Sequence, residues 1–451
     1  MRTLIFLFLN FVLLGGVTNG QLPPPHKSDR AATESQGIRE LRGKYLRLFT
    51  DLPSSESIDE LPAAFDAAVP LWCQYFGVAE EKIATWRVQA FLIGDREKFA
   101  ELGLLPTDNR NFLNGFAHDR ELWLVEQPSD YYRRHLLLHE GTHAFMLAHL
   151  GGAGPGWHME GLAELLGTHR WHPENKEQPL ELAVMPDARK NFPMWGRIKL
   201  INDAVKADKS YGLVDVLRID NRRPLDTQHY AWSWALCWLL DNDVRFQKQF
   251  HAMRRGLDFA PDGGRRFNRR FYRGIGQRKW RDLEIQWLAM VSTMDYGYDH
   301  QRMRIDEVKT TSPEPSHATI KVASDRGWQS TGWQLAAGKK YQLEATGRYR
   351  IALDRSTEPP TPWPCEPGGI TLEYHEGQPL GRLLAALVPV EGSVAVGKSG
   401  TERATFTRPL AVGLGGLLEP ESDSVLYLRI NDHAGRLVDN EGNATVTISP
   451  K

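Results

Sequence analysis

An α+β domain followed by an all-β sandwich is the multidomain fold class this sequence predicts, and three patterns carry the prediction. Strand and helix signals are mixed between residues 34 and about 128. Helical periodicity then dominates to about residue 300. From about residue 305 apolar and polar residues alternate at period two between Gly- and Pro-rich turns. The 451 residues are enough for two or three domains with a large core.

The first element is an export signal over residues 1–20. Arg2 forms a short basic region, Leu4 to Leu14 is nearly all apolar, and Thr18-Asn19-Gly20 supplies small residues before a cut at Gln21. The apolar run is too short to span a bilayer, and no later run is long enough, so no transmembrane segment is expected. The expected location is periplasmic or extracellular. A Pro-rich linker, LPPPHKS, falls within residues 21–33. Three cysteines, Cys73, Cys237 and Cys365, are too few for a disulfide scaffold and leave at most one bridge, Cys73 to Cys365. Cys237 sits in an apolar run and reads as a buried thiol.

Charged residues make up 25% and the formal net charge is -1, which gives a nucleic-acid partner no support. The Arg-rich run Arg265 to Gly274 reads as a solvated surface segment anchored by its aromatic residues.

Residues 34–300 form the first domain. Thr85 to Asp95 alternates as a strand, DREKFAELG follows as a helix, and Glu121 to Pro128 is a short strand ended by its proline. The active-site helices are expected over 131–170. The first runs from about Tyr131 to Leu150, where Gly151-Gly152 stops it, and it contains HEGTH. His139 and His143 are four apart, hence about 40° from each other on a helix, so both imidazoles reach one ion. Glu140 is placed to take a proton from the attacking water. His135 lies on the same face but too far along the axis from His143 to share its ion.

Three residues compete for the third ligand position. His149, six residues after His143, lies about 240° round the helix and faces away; it suits the negative end of the helix dipole. After the reversal GGAGPG, the segment WHMEGLAE puts Glu160 and Glu164 one turn apart on one face of a second helix. Glu160 is nearer the turn, and Glu164 is placed to receive a histidine N–H.

HEGTH followed by WHMEGLAE resembles the gluzincin metallopeptidases of the thermolysin and M1 aminopeptidase type. The resemblance implies a zincin-like metallopeptidase domain with Zn2+ on His139, His143 and Glu160, the last from a WxxEGxA segment. It also implies Tyr230, in HYAWSWALCWLL, as the phenol that steadies the oxyanion. The Lys-Gly pair expected beside that tyrosine is replaced by Trp232-Ser233, and His229 is a second candidate for the task. No GxMEN-type segment precedes His139, which points away from aminopeptidases and toward endopeptidase action. NGFAHDRELWLVEQP stands in its place and reads as an edge strand able to pair with an extended peptide.

Residues 301–318 read as a linker and 319–451 as the β-domain. KKYQLEATGRYRIA, VLYLRIN and NATVTISP carry its strand pattern. Leu426 to Ile448 resembles the calcium-dependent galactophilic lectin of the PA-I type. That resemblance implies Ca2+ on Asp432, Asp439, Asn440 and the carbonyl of Arg436, and a carbohydrate partner. The sequence thus reads as an exported zinc peptidase acting on a peptide or protein. The other reading is an inactive zincin-like surface protein that binds glycans.

Overall fold

The computed structural model describes residues 30–106, 111–220, 222, 225–258, 260, 262–306, 318–391 and 405–451. The export-signal segment and most of the expected linkers lie outside these residues. Among the described residues no helix is long and apolar enough to cross a membrane.

The chain divides into two compact units. One comprises residues up to Leu200 together with Val214–Ile275. Its sheet has the order β1 (Arg39–Arg42), β2 (Leu46–Thr50), β3 (Val88–Ile93), β5 (Glu121–Val125), β4 (Gly115–His118). Strands β2, β3 and β5 are parallel, and the two edges are antiparallel. Every residue of β3 is buried, as an inner parallel strand requires. The edges are therefore β1 and β4, whereas the expected strand at Glu121 is covered by a neighbour on each side.

The HEGTH helix spans Asp130–Leu150. Ser129 caps its start by accepting from the Tyr132 amide, and Gly151, at φ 76°, ends it in the left-handed conformation. The next helix, Gly156–Gly167, is buried at every residue, and helix Thr227–Asn242 is buried from Tyr230 to Leu240. Helices apolar on all sides belong in a protein interior, and these two cross closely. A Cβ at Gly161 would stand 2.5 Å from both Cys237 Sγ and the Ser233 carbonyl oxygen. Gly141 is likewise the only size that fits: a Cβ there would meet Phe65 and Trp72 at 2.7 Å. Helix Gly263–Ile275 buries Phe267, Phe271 and Ile275 and turns its arginines outward.

The other unit comprises Ile201–Leu213 and Gly276–Lys451. Two four-stranded antiparallel sheets share one core. The first has the order Gly415–Leu418, Tyr341–Thr346, Asn443–Pro450, Ala318–Ala323. The second has the order Leu410–Ala411, Leu383–Pro389, Ser424–Ile430, Gln329–Leu335. Tyr341, Leu343, Val446 and Ile448 from one face Leu383, Leu426 and Leu428 from the other, and all are buried. Helix Gln277–Val291 belongs to this unit, tied in part by the Ile305 amide donating to Gln286 Oε1 at 2.8 Å. The composition change near residue 305 marks where strand sequence begins, while the contacts divide the chain before Gly276. All three cysteines are free and buried, so the Cys73–Cys365 bridge is not formed.

Candidate metal centre

His139 and His143 rise one above the other on their helix, and Glu160 reaches them from the next. His139 Nε2 and His143 Nε2 are 3.2 Å apart. Glu160 Oε2 is 3.3 Å from the first and 3.2 Å from the second. Two donors about 2.05 Å from a tetrahedral ion stand about 3.3 Å from each other, so the triangle has the dimensions of a zinc face. These three residues are 4%, 1% and 1% exposed.

Glu140 is fully buried beside this triangle, and neither of its carboxylate oxygens has a hydrogen-bond partner among the described residues. Burial pushes its pKa up, and the neighbouring Glu160 and Glu164 carboxylates add to the rise. Strand β4 comes against it at Gly115, where a Cβ would stand 2.3 Å from Glu140 Oε1. Only glycine lets the sheet edge approach the Glu140 carboxylate so closely.

Charge in the cluster is lopsided. Glu140, Glu160 and Glu164 are all buried. Burial opposes a charge on His139, yet the facing Glu160 and Glu164 outweigh it and push its pKa up to about 10. Glu160 shows the reciprocal effect: burial would raise it, but His143 and His139 hold it down at about 2. The carboxylates call for positive charge where the three donors converge.

Glu164 sits behind the histidines. Its Oε1 is 3.4 Å from His139 Nδ1 and its Oε2 3.5 Å from His135 Nε2. His135 Nδ1 in turn meets the Gly167 carbonyl at 2.8 Å. Arg197 donates to both Glu164 oxygens, at 2.9 and 2.7 Å, and is itself buried. This bidentate pair fixes the Glu164 carboxylate between His135 and His139, which with it form a second possible donor group sharing His139 with the first. Arg197 was not singled out by the sequence, where nothing links it to a glutamate 33 residues earlier. Arg197→Ala should lower stability by about 3–5 kcal/mol by stranding the buried Glu164 charge. It should also weaken zinc affinity by about 10–100-fold. Chemical denaturation and a zinc titration read the two losses separately.

Tyr230 stands at the same centre, its ring 6.1 Å from that of His139. Its hydroxyl is buried without a partner among the described residues, and burial beside Glu160 and Glu140 holds its pKa well above the ordinary value. It is therefore a retained O–H donor. His229 is committed elsewhere: it closes a capping box with Asp226, each accepting the other's backbone amide at 3.0 Å. His149 packs on Phe145 and Trp86, ring centroids 4.8 and 5.2 Å away, on the side remote from the donors.

In the β-rich unit, Asp432 and Asn440 lie together and buried. Asn440 Nδ2 donates to Asp432 Oδ2 at 2.7 Å and to the Ser324 carbonyl at 2.9 Å. Those two bonds fix the amide orientation and leave Asn440 Oδ1 buried with no partner among the described residues. The Asp439 carboxylate accepts from the Leu353 amide at 3.3 Å, and the Arg436 guanidinium pairs with Glu373.

No protein-family model matches the chain, and no curated protein matches it. Among solved structures, one described as the EclA N-terminal domain, a PllA-like lectin, is similar at 19% identity with a TM-score of 0.21; the match covers 30% of this chain and 95% of that one.

Proposed function

We propose that the chain is a zinc-dependent peptidase of gluzincin type, acting as an endopeptidase on peptides or proteins after export. The triangle of His139 Nε2, His143 Nε2 and Glu160 Oε2 with 3.2–3.3 Å sides carries this reading. Zinc held there would polarise the scissile carbonyl and acidify the attacking water. Glu140, whose carboxylate has no hydrogen-bond partner among the described residues, takes that water's proton and returns it to the leaving amine. The Tyr230 hydroxyl donates to the oxygen where negative charge develops. Edge strand β4, which meets Glu140 at Gly115, offers its backbone to an extended substrate. Glu164, held by Arg197, keeps the His139 ring in its ligating orientation.

Zinc analysis of the purified protein combined with a peptide-library digest tests this. The expected result is bound zinc and internal cleavage that stops on chelation. Stoichiometric zinc with every peptide intact would instead support the inactive, glycan-binding reading.

A second site has its own support. Asn440 turns its amide nitrogen to the Asp432 carboxylate and leaves Oδ1, a hard oxygen donor suited to calcium, buried with no partner among the described residues; the PA-I-type resemblance implies Ca2+ on these two residues together with Asp439 and the Arg436 carbonyl. Calcium should raise the melting temperature of the full chain, magnesium should do less, and Asp432→Ala should remove the response. Melting that ignores both calcium and chelator would reduce this loop to an ordinary turn.

A further inference from the structure

A second group of metal-type donors lies in the β-rich unit, and no local motif announces it. Asp295 follows helix Gln277–Val291, His375 ends strand Ile370–His375, and His433 follows strand Ser424–Ile430. One ligand atom from each falls within 4.8 Å of the others. His433 Nδ1 stands 3.3 Å from Asp295 Oδ2, the spacing of two donors on a tetrahedral ion, and the two imidazole rings are 4.0 Å apart. His375 is 8% exposed.

We propose that Asp295, His375 and His433 form a second divalent transition-metal site, of zinc class, that clamps the segment after helix Gln277–Val291 onto the sandwich. Two imidazoles and one carboxylate form a donor set that favours zinc over calcium or magnesium, which prefer oxygen alone. The surroundings also provide the orienting partner. Glu373 Oε1 lies 3.3 Å from His433 Nε2, so with Nδ1 on the ion the second ring N–H points at a carboxylate. Arg436 holds that glutamate in place at 2.7 Å. The nearby Arg429 and Arg436 cations oppose an added dication, and Asp295 and Glu373 counter them. Asp295 and His433 side chains are 33% and 22% exposed, so an ion has a route in and space for a water as fourth ligand. The clamp joins positions far apart in the chain, so the ion would act through the folded state alone.

Zinc bound to the full chain should be counted in the wild type, in Asp295→Asn and in His375→Gln after dialysis against zinc. Each variant should lose one ion per chain while retaining the ion at His139 and its peptide hydrolysis. In a His143→Ala background, zinc should still bind and raise the melting temperature, and adding His375→Gln should erase both. Cobalt in that background should give the visible bands of a tetrahedral nitrogen–oxygen site. Zinc content unchanged in both Asp295→Asn and His375→Gln would overturn the proposal, as would no uptake in the His143→Ala chain. Neither result depends on whether the centre at His139 hydrolyses peptides.

Discussion

Glu140→Gln should cut peptide hydrolysis by about 10²–10⁴-fold while zinc content stays at the wild-type level. A general base supplies about that factor, equivalent to about 3–5 kcal/mol of barrier. Glu140 is not a corner of the donor triangle, so the ligand set survives. The fold should survive too, since the amide has nearly the same shape. Stability is the more informative control. Both Glu140 oxygens are buried without a hydrogen-bond partner among the described residues, and a neutral amide costs less to bury there than a carboxylate. The melting temperature of Glu140→Gln should therefore equal or exceed that of the wild type. Retained turnover would place the chemistry elsewhere; lost turnover with lower stability would point to a packing role.

What the sequence discloses about this centre follows the range of the interactions. HEGTH is a one-turn relation, so the shared face of its two histidines can be read from helix phase alone. Gly141 and Gly161 look like incidental small residues, yet at each an added Cβ would stand only 2.5–2.7 Å from another element. Glu160 lies one hairpin away and needs only the reversal at GGAGPG to bring it back. Arg197 has no such local relation to Glu164, and its ion pair exists only once the fold closes. The capping box at Asp226 and His229 is hidden for another reason: histidine stands where a glutamate or glutamine would have signalled it.

The sandwich strands were readable because half-buried antiparallel strands alternate strictly, as Tyr341–Thr346 and Asn443–Pro450 do. Strand β4 is four residues long with three of them buried, too short to show a period. Helix Gln277–Val291 is amphipathic like Gly263–Ile275 before it, and periodicity does not say which core receives its apolar face. Asp295, His375 and His433 share no spacing at all, so only the fold brings them together.

Glu160→Ala should nearly abolish zinc binding and hydrolysis together, with a larger affinity loss than the about 10–100-fold expected where only a supporting residue is changed. The distinction from Glu164 rests on distance: Glu160 Oε2 faces both Nε2 atoms at 3.2–3.3 Å, whereas Glu164 approaches His139 on its Nδ1 side. Zinc that binds only the folded chain stabilises it by about 4 kcal/mol at a thousandfold excess over Kd. The melting response to zinc at this centre should therefore collapse in Glu160→Ala and weaken in Glu164→Ala. The two should also differ without added zinc. Glu164→Ala strands the buried Arg197 cation and should destabilise the chain, while Glu160→Ala removes one of three clustered carboxylates and should cost less. His149→Ala, on the far face against Phe145 and Trp86, should alter stability alone. Zinc occupancy that followed His149 and ignored Glu160 would refute both the donor triangle and the gluzincin reading built on it.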